Sequence, residues 1–456
     1  MKNISYKYDI AVIGAGPAGL AAAVTAARAG KKVALFEKNN FLGGSLAIGL
    51  SPLGFLAQNG EKCIAGFGEE LVNRLQQRGQ SHGTRVCPKH NSVTCVNAEG
   101  VKLLALEMCI EAGVDILLHC EVLDVCVEDR RIKKVTMYGK CNRIDVEADV
   151  FIDCTGDGDV AYLAGCSYDM GQKGTGVLQP PTVMFTLGGV EQDKVLEYVK
   201  ENPEELRYNR PMIFEDESYN ADYYKSSPNY DFVGLQRTFR ELKAKGELPV
   251  ERESFIYING TNPGEVYVNS IRILNADTTD IRDLSRAEAE GALQIPKLIS
   301  LLSERIPGFE NCYLESIAPS LGVRETRRFE GIRRVTDEMA ANGEVPADSI
   351  CLSGYKIDIH SGNDNGLFFK AVEKPFGIPY GALVSSELDN LMFAGRCISC
   401  EAVAYGSLRV IPTCLAMGQA AGVGAAMAVS ENKKPADVST DAVRKILLEQ
   451  NAILEM

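Results

Sequence analysis

Apolar and glycine-rich segments follow one another in a regular order at the start of the chain. Residues 8–13 (YDIAVI) predict a short buried strand, and residues 14–19 turn it into an alanine-rich helix that ends at Gly30. Residues 31–36 then predict a second strand, which ends at Glu37. A strand, a glycine turn, a helix and a strand in this order form a unit whose two strands lie parallel in one sheet.

The pattern changes after this unit. Residues 103–113 have helical periodicity and lead into three strand-like runs, at residues 114–127, 133–138 and 144–153. These runs predict a helix and a small β-meander that is inserted before the parallel sheet resumes. The expected fold class is therefore α/β, with a three-layer, Rossmann-like domain built on a parallel sheet plus a β-meander.

The middle of the chain differs in composition from both ends. Tyrosines and charges become more frequent there, and residues 265–274 predict a further strand. We interpret this part as an inserted α+β second domain that lies over a cofactor. The expected division is residues 1–170 for the first part of the nucleotide-binding domain, 171–375 for the inserted substrate domain and 376–456 for the return segment and C-terminal helices.

One uncharged stretch, residues 410–430, is long enough to suggest a membrane span. It consists mostly of alanine, glycine and other small residues, and it contains Pro412 and Gln419, so its insertion into a bilayer would be weakly favourable. We therefore predict a buried helix in close contact with its neighbours and no membrane span.

The net charge of the chain narrows the range of possible binding partners. The 456 residues include 48 Lys and Arg against 61 Asp and Glu, a net charge of −13, which repels nucleic acid and anionic membrane surfaces. We expect no nucleic-acid partner. Because the first strand starts near Tyr8, there is no room for a cleavable signal peptide before it, which predicts a cytoplasmic protein.

The fourteen cysteines are scattered along the chain. In a reducing compartment their ordinary role is packing. A zinc site needs clustered Cys and His pairs, and the nearest candidate, Cys87 with His90, has no second pair at suitable spacing. We predict no metal.

The glycine turn carries a dinucleotide-binding fingerprint in the required context. Gly14 allows the tight turn, Gly16 lets the backbone approach a pyrophosphate, and Gly19 lets the helix pack against the strand. Free N–H groups at the start of the helix hold the phosphates. Glu37 follows Gly19 by 18 residues, close to the spacing of the acid that binds a ribose hydroxyl.

Two further features favour FAD over NAD as the cofactor. Gly43 and Gly44 follow Glu37 closely, and residues 155–158 (TGDG) follow the strand at residues 150–153. Neither feature belongs to a minimal NAD domain. The chain also has no second strand, GxGxxG and helix unit that would make a separate nicotinamide domain.

At this point the chain resembles the FAD-dependent oxidoreductase family whose members share a glutathione-reductase-like FAD domain and an inserted second domain. The likeness extends over nearly the whole chain. It is carried by residues 266–291, SLGVRETRRFEG (320–331), KIDIH (356–360), FGIPYGALV (376–384), NLMFAGRCIS (390–399) and residues 406–422.

The resemblance implies the cofactor-binding residues. It implies that the backbone of Val122 meets the adenine, that Gly156 and Asp157 lie near the pyrophosphate, and that Gly395 and Arg396 close the site over the ribityl chain. Pro17, Ala18, Ser45 and Thr155 belong to the same expected set. The residues expected around the phosphates and ribose are Gly14, Gly16, Gly19, Glu37, Lys38, Gly43 and Gly44.

The chain departs from the family pattern just after its GRCIS motif. Many relatives have a His-Glu pair there, where this chain has Ala402 and Val403, so a role of that histidine cannot be transferred. Pro412 suits the first turn of a helix. If the positive end of this helix points at the flavin pyrimidine ring, it stabilises the negative charge of the reduced flavin.

The candidate catalytic residues are His360, Arg324, Arg409 and Cys397. His360 lies in KIDIH and is either a proton donor or acceptor or a buried structural histidine. Arg324 and Arg409, together with Arg272, are suited to hold a carboxylate substrate, although arginines also bridge domains or pair with acids.

Cys397 and Cys400 form a CxxC pair beside Arg396. Such a pair is a redox dithiol when a helix start or a cation acidifies one thiol. The alternative is that Cys397 is part of the flavin-closing turn and that both thiols are ordinary.

The expected function is that of an FAD-dependent oxidoreductase. It moves a hydride between flavin N5 and a small organic substrate, with a carboxylate as the candidate, and exchanges electrons with a separate donor or acceptor. The alternatives are a disulfide reductase that uses Cys397 and Cys400, and a protein that binds FAD without catalysis.

Overall fold

The computed structural model describes residues 2–207, 218–364 and 366–456. In chain order its strands are β1 (Lys2–Ile13), β2 (Val33–Phe36), β3 (Arg85–Cys87), β4 (Asn91–Val93), β5 (Asp115–Leu117), β6 (Glu121–Glu128), β7 (Arg131–Gly139), β8 (Asn142–Asp153), β9 (Tyr168–Met170), β10 (Thr182–Gly188), β11 (Asp231–Gly234), β12 (Phe255–Asn259), β13 (Val266–Arg272), β14 (Tyr313–Ile317), β15 (Arg327–Phe329), β16 (Ser349–Ser353), β17 (Ile357–His360), β18 (Leu367–Lys370), β19 (Phe376–Pro379) and β20 (Leu391–Phe393).

The α-helices are α1 (Pro17–Arg28), α2 (Phe67–Gln77), α3 (Ala98–Ala112), α4 (Asp159–Leu163), α5 (Gln192–Glu201), α6 (Ala221–Lys225), α7 (Gln236–Lys245), α8 (Ile281–Arg305), α9 (Asp337–Asn342), α10 (Ala402–Leu408), α11 (Ile411–Glu431) and α12 (Thr440–Glu449).

The first sheet has the strand order β5-β2-β1-β8-β7-β6, and β20 also pairs with β8. Strands β5, β2, β1, β8 and β20 run parallel, and β6 and β7 form the antiparallel meander. Ile13 at the end of β1 is in register with Phe36 on one side and Asp153 on the other. The loops after all three strands therefore meet at one edge of the sheet, which confirms the predicted parallel unit and the α/β fold class.

Two details of the first sheet differ from the prediction. Strand β1 begins at Lys2 rather than near Tyr8, because its first half continues to pair with β8, starting with Lys2 beside Asn142. The run at residues 114–127 is two strands, β5 in the parallel part and β6 in the meander. His119 between them has a φ of 57°, a left-handed conformation that turns the chain.

The second sheet is antiparallel, with the order β11-β12-β13-β10-β14. Its strands alternate between two environments, as the period of two in a strand requires. Phe255 and Tyr257 of β12 belong to a second hydrophobic core, whereas Ile256 and Ile258 face the opposite side, where they line a cavity. Helices α5, α7 and α8 contribute to the second core.

The two main hydrophobic clusters indicate where the chain changes domain. The second cluster consists of residues from Val183 to Leu321, and the first cluster includes residues up to Cys166 and again from Phe329 onward. The chain therefore contributes again to the first core from Phe329, while the division at residue 376 stays a prediction from composition. A small cluster that includes Ile48, Met184 and Ile258 joins the two.

Helix α11 is the predicted apolar helix. Among the described residues it is the one helix long and apolar enough to cross a membrane, but 83% of its most apolar window is buried inside the protein. Its glycines allow this burial, since a Cβ on Gly418 would lie 2.0 Å from the Ala18 carbonyl oxygen of α1. Close backbone contact with α1 thus explains its small residues.

Candidate functional site

A cavity of about 480 Å³ lies between the glycine turn of the first sheet and the free face of the second sheet. The glycine turn and the start of α11 line one side, and β10 to β13 line the other. Most of the expected cofactor-binding residues line this cavity: Gly14, Gly16, Pro17, Ala18, Glu37, Lys38, Gly44, Ser45, Thr155, Gly156, Asp157, Gly395 and Arg396.

The three glycines of the fingerprint have different surroundings. Gly14 has a φ of 93°, and a Cβ there would lie 2.4 Å from the Cys154 carbonyl oxygen. A Cβ on Gly19 would lie 1.8 Å from the Gly14 carbonyl oxygen. Around a Cβ on Gly16 there is no atom within 4 Å. Gly14 and Gly19 are thus required by packing, whereas Gly16 keeps open a space above the start of α1.

Glu37 is fixed at the end of β2. One of its carboxylate oxygens, Oε2, accepts a hydrogen bond from the Ala15 N–H at 2.7 Å, and Oε1 accepts one from the Asn39 N–H at 2.9 Å. The N–H of Gly43 donates to the Ala15 carbonyl at 2.8 Å, and a Cβ on Gly44 would lie 2.9 Å from the Gly16 Cα. The second pair of glycines therefore holds the fingerprint turn in place.

The loop after β8 closes the same edge. The Asp153 carboxylate accepts hydrogen bonds from the Thr155 N–H at 3.0 Å and the Ala161 N–H at 2.9 Å. Arg396 donates to Asp157 at 2.9 Å. Burial by itself raises the pKa of Asp157, but the cations of Arg396 and Lys38 outweigh it and hold the pKa below its usual value. This ion pair joins the β8 loop to the GRCIS turn.

Three expected cofactor residues do not line the cavity. Gly19 acts through packing and Gly43 through its hydrogen bond to Ala15, as described above, and Val122 lies at the start of β6. The segment before Val122 lies next to Glu37, because the Cys120 N–H donates to the Glu37 carbonyl at 2.9 Å. The open space over Gly16, the start of α1 and the Glu37 carboxylate together fit a dinucleotide.

Four arginines line the half of the cavity that the second domain encloses. Arg272 ends β13, Arg409 follows α10, Arg324 lies in the loop before β15, and Arg252 precedes β12. One terminal nitrogen of each guanidinium donates a hydrogen bond to an acceptor in the protein. These acceptors are the Asn269 carbonyl for Arg252 at 2.6 Å, His360 Nδ1 for Arg272 at 2.8 Å, the Pro180 carbonyl for Arg324 at 2.6 Å and the Asp358 carbonyl for Arg409 at 2.7 Å.

The arginines destabilise one another's charge. Burial and the neighbouring charges of Arg409 and Arg272 lower the pKa of Arg324 to about 9. Burial, with Arg272 and Arg324, also lowers the pKa of Arg252. In addition, the buried Nε atoms of Arg252, Arg272 and Arg409 have no hydrogen-bond partner among the described residues. An anion in this half of the cavity would relieve the repulsion between these charges.

His360 is held at both ring nitrogens. Because a guanidinium only donates, Nδ1 accepts from Arg272, and Nε2 therefore carries the proton and faces Asp358 Oδ1 at 3.3 Å. Burial lowers the pKa of His360 to about 3, and Arg324 and Arg272 act in the same direction against Asp358. The ring is thus neutral and orients Arg272, an arrangement that disfavours direct proton transfer to a substrate.

Sequence reasoning missed Asp231 and Arg252, two of the charged residues that line the cavity. Arg252 lies in a charge-rich stretch, ERES, in which nothing distinguishes an inward-facing arginine from a solvated one. Its side chain is 5% exposed because the fold brings its loop against β13.

The CxxC pair is fully buried, and neither thiol lines the cavity. The Cys397 Sγ faces the Asp153 carbonyl at 3.5 Å. Burial raises the pKa of Cys397 well above its ordinary value and that of Cys400 to about 12. Cys414 does line the cavity, at the start of α11, and its pKa is also raised by burial to about 12. All three are thiols rather than thiolates at neutral pH.

Ala402 and Val403, which replace the His-Glu pair, begin α10 and do not line the cavity. The Asp337 carboxylate accepts from the Val403 and Ala404 N–H groups at 2.9 and 2.8 Å and so caps this helix. Across residues 2–207, 218–364 and 366–456, no group of three or more His, Cys, Asp or Glu side chains is placed to hold a metal ion.

Curated relatives match parts of the chain. A thiamine thiazole synthase from Pyrococcus abyssi is 31% identical over 160 residues, which is 33% of this chain and 58% of that protein. Digeranylgeranylglycerophospholipid reductase 1 from Methanococcoides burtonii is 27% identical over 153 residues, 29% of this chain and 33% of that protein. The chain thus spans less than two thirds of the length of these relatives.

A solved structure similar to this chain is a geranylgeranyl bacteriochlorophyll reductase-like protein from Thermoplasma acidophilum. It is 13% identical, with a TM-score of 0.47, and the match covers 98% of this chain and 92% of that one. The family model for FAD dependent oxidoreductases matches residues 9–447, which confirms the resemblance inferred from the motifs. The protein is therefore an enzyme of the FAD-dependent oxidoreductase family, and its cofactor is FAD.

Proposed function

We propose that this enzyme transfers a hydride between FAD and a carbon of a small organic carboxylate, and that it exchanges electrons with a separate partner. The observation that carries the proposal is the cluster of four arginines, with charges that repel one another, in the cavity that the cofactor-binding turn also lines. When bound, FAD supplies the hydride acceptor or donor. A cytoplasmic location remains part of the proposal.

The arginines bind and orient the carboxylate. A guanidinium presents parallel N–H groups that match the two oxygens of a carboxylate, so Arg272 and Arg324 fix both the position and the rotation of the substrate. His360 keeps Arg272 in place through the 2.8 Å hydrogen bond, and Asp358 keeps His360 in one tautomer. We assign His360 as a positioning residue on this geometry.

Asp231 is the group that we assign to proton exchange. Its side chain lines the cavity and is 5% exposed. Burial raises the pKa of Asp231 to about 7, and the nearby Ser51 hydroxyl acts against it. A carboxyl with such a pKa both accepts and donates protons near neutral pH.

The test compares anion binding in two arginine variants of the FAD-loaded enzyme. Arg324→Gln removes a cavity charge, and Arg333→Gln removes an exposed arginine that pairs with Asp348 outside the cavity. Acetate binding is measured by calorimetry. A hydrogen bond between charged groups contributes about 1.5–3 kcal/mol, so Arg324→Gln should weaken acetate about 10- to 150-fold.

Arg333→Gln should bind acetate as the unmodified enzyme does. Equal acetate affinity in Arg324→Gln and Arg333→Gln would contradict the assignment of the carboxylate site. A second test measures how fast NADH and NADPH reduce the flavin. Rapid reduction by tightly bound NADH or NADPH would contradict the proposal of a separate electron partner.

A further inference from the structure

The cavity-facing side of the second sheet carries an apolar strip. Val233, Ile256 and Ile258 line the cavity from the neighbouring strands β11 and β12, and Met184 lines it from β10, on the other side of β13. Their sequence neighbours Phe232, Phe255 and Tyr257 point into the second core. Four apolar side chains therefore face the cavity from this sheet, beside the polar side chains of Thr182 and Asn269.

Strand register orders the groups along this strip. Val233 lies beside Ile256, and Asp231 lies beside Ile258, one step of about 7 Å further along β12. The arginines lie beyond the other end. Arg252 precedes β12, and its guanidinium donates to the carbonyl of Asn269, near the end of β13 where Arg272 stands. Across the cavity, the arginines thus lie at one end, the apolar strip lies in the middle and Asp231 lies at the other end.

We propose that the substrate is a monocarboxylate with a hydrocarbon body, whose carboxylate binds the arginines and whose body lies on the Val233, Ile256, Ile258 and Met184 strip. This inference rests on the proposed function and narrows its substrate class. An extended chain of about four to six carbons spans the strip. A second carboxylate at the far end of such a molecule would meet Asp231, so dicarboxylates of the same length are disfavoured.

Three groups near Asp231 matter for this discrimination. The Cys95 thiol approaches its Oδ1 at 4.0 Å, the Ser51 hydroxyl lies near its carboxylate and lowers its pKa, and the Tyr355 ring also lines the cavity. Burial raises the pKa of Cys95 and that of Tyr355 well above their usual values, so both are neutral at pH 8. Lys89 also lines the cavity, and burial lowers its pKa to about 7, so it is largely neutral at pH 8 as well. Among these groups, Asp231 therefore carries the charge that faces a second carboxylate.

The experiment measures the affinities of acetate, butyrate, hexanoate and adipate for the FAD-loaded enzyme at pH 8 by calorimetry. Each methylene buried on the strip should strengthen binding about 3- to 4-fold up to hexanoate. Adipate should bind at least about tenfold more weakly than hexanoate. Asp231→Asn should remove most of the difference between adipate and hexanoate.

A matched pair of isoleucine variants locates the hydrocarbon body. Ile256→Ala should weaken hexanoate several-fold and leave acetate unchanged, whereas Ile281→Ala, at a side chain that is 71% exposed, should change neither. Equal affinities for acetate and hexanoate, or adipate binding as well as hexanoate, would overturn the inference. If either of these results is found while acetate binding still depends on Arg324, the narrower substrate class is wrong and the proposed function stands. Loss of all Arg324-dependent binding refutes the proposed function itself.

Discussion

Gly16→Ala separates cofactor binding from folding. Gly16 has φ −66° and ψ −175°, which any residue adopts, and no atom lies within 4 Å of the added Cβ. The methyl group therefore enters the cavity without disturbing the protein. As the N-cap of α1, alanine is less favourable than glycine, so the apoprotein should lose about 1 kcal/mol or less.

The methyl group occupies the space through which the backbone approaches the FAD pyrophosphate. Overpacking by one methyl group costs about 1–3 kcal/mol, which corresponds to FAD binding that is weakened about 5- to 150-fold. FAD affinity is measured by the quenching of flavin fluorescence on addition of apoprotein, and apoprotein stability by urea unfolding.

Gly19→Ala is the matched control. Its Cβ would lie 1.8 Å from the Gly14 carbonyl oxygen, a backbone atom, so α1 or the turn has to move. This variant should lower the unfolding free energy of the apoprotein as well as FAD affinity. The reasoning fails if Gly16→Ala binds FAD normally, or if its apoprotein is destabilised as strongly as that of Gly19→Ala.

Three further predictions concern buried groups. Asp157→Asn leaves the Arg396 charge without its partner and should lower the unfolding free energy of the apoprotein by about 3 kcal/mol in urea; an unchanged value would contradict the importance of this pair. Asp231 has a folded-state pKa of about 7, raised above its unfolded value, so the folded protein binds its proton more tightly and stability falls as pH rises from about 4 to 7. Asp231→Asn should therefore stabilise the protein more at pH 8 than at pH 4, and an equal effect at both pH values would refute the raised pKa. Anaerobic titration with dithionite should show about two electrons per flavin, unchanged in Cys397→Ser and Cys400→Ser, because both thiols are buried and protonated; about four electrons would establish a redox dithiol.

The cofactor half of the site could be predicted from the sequence because its determinants are local. Gly14, Gly16 and Gly19 act within one turn, and Glu37 follows at the end of the next strand. The parallel pairing of β1 with β2 and β8 then brings the loops together at one edge. The spacing of these residues along the chain therefore determines how the cofactor half of the site is arranged.

Long-range packing and some roles were less predictable. Phe329 belongs to the first core through packing between residues far apart in the chain, and no change in composition marks it. The role of His360 depends on Arg272, 88 residues away, which decides the tautomer of the ring. The CxxC spacing alone indicates neither burial nor exposure. The protonation of the Cys397 thiol is therefore set by the core that surrounds it.

The sequence by itself determined the nucleotide-binding fold, its glycine turn and its flavin cofactor, since these depend on short-range spacing and on the alternation of apolar residues. Only the tertiary structure decided which residues line the other half of the cavity. Arg252, Arg272, Arg324 and Arg409 come from four separate segments and meet because the second sheet folds over the first domain. The sequence named three of these arginines as candidates, but charges that are distant in sequence are equally compatible with solvent, and their approach to one another arises from folding alone.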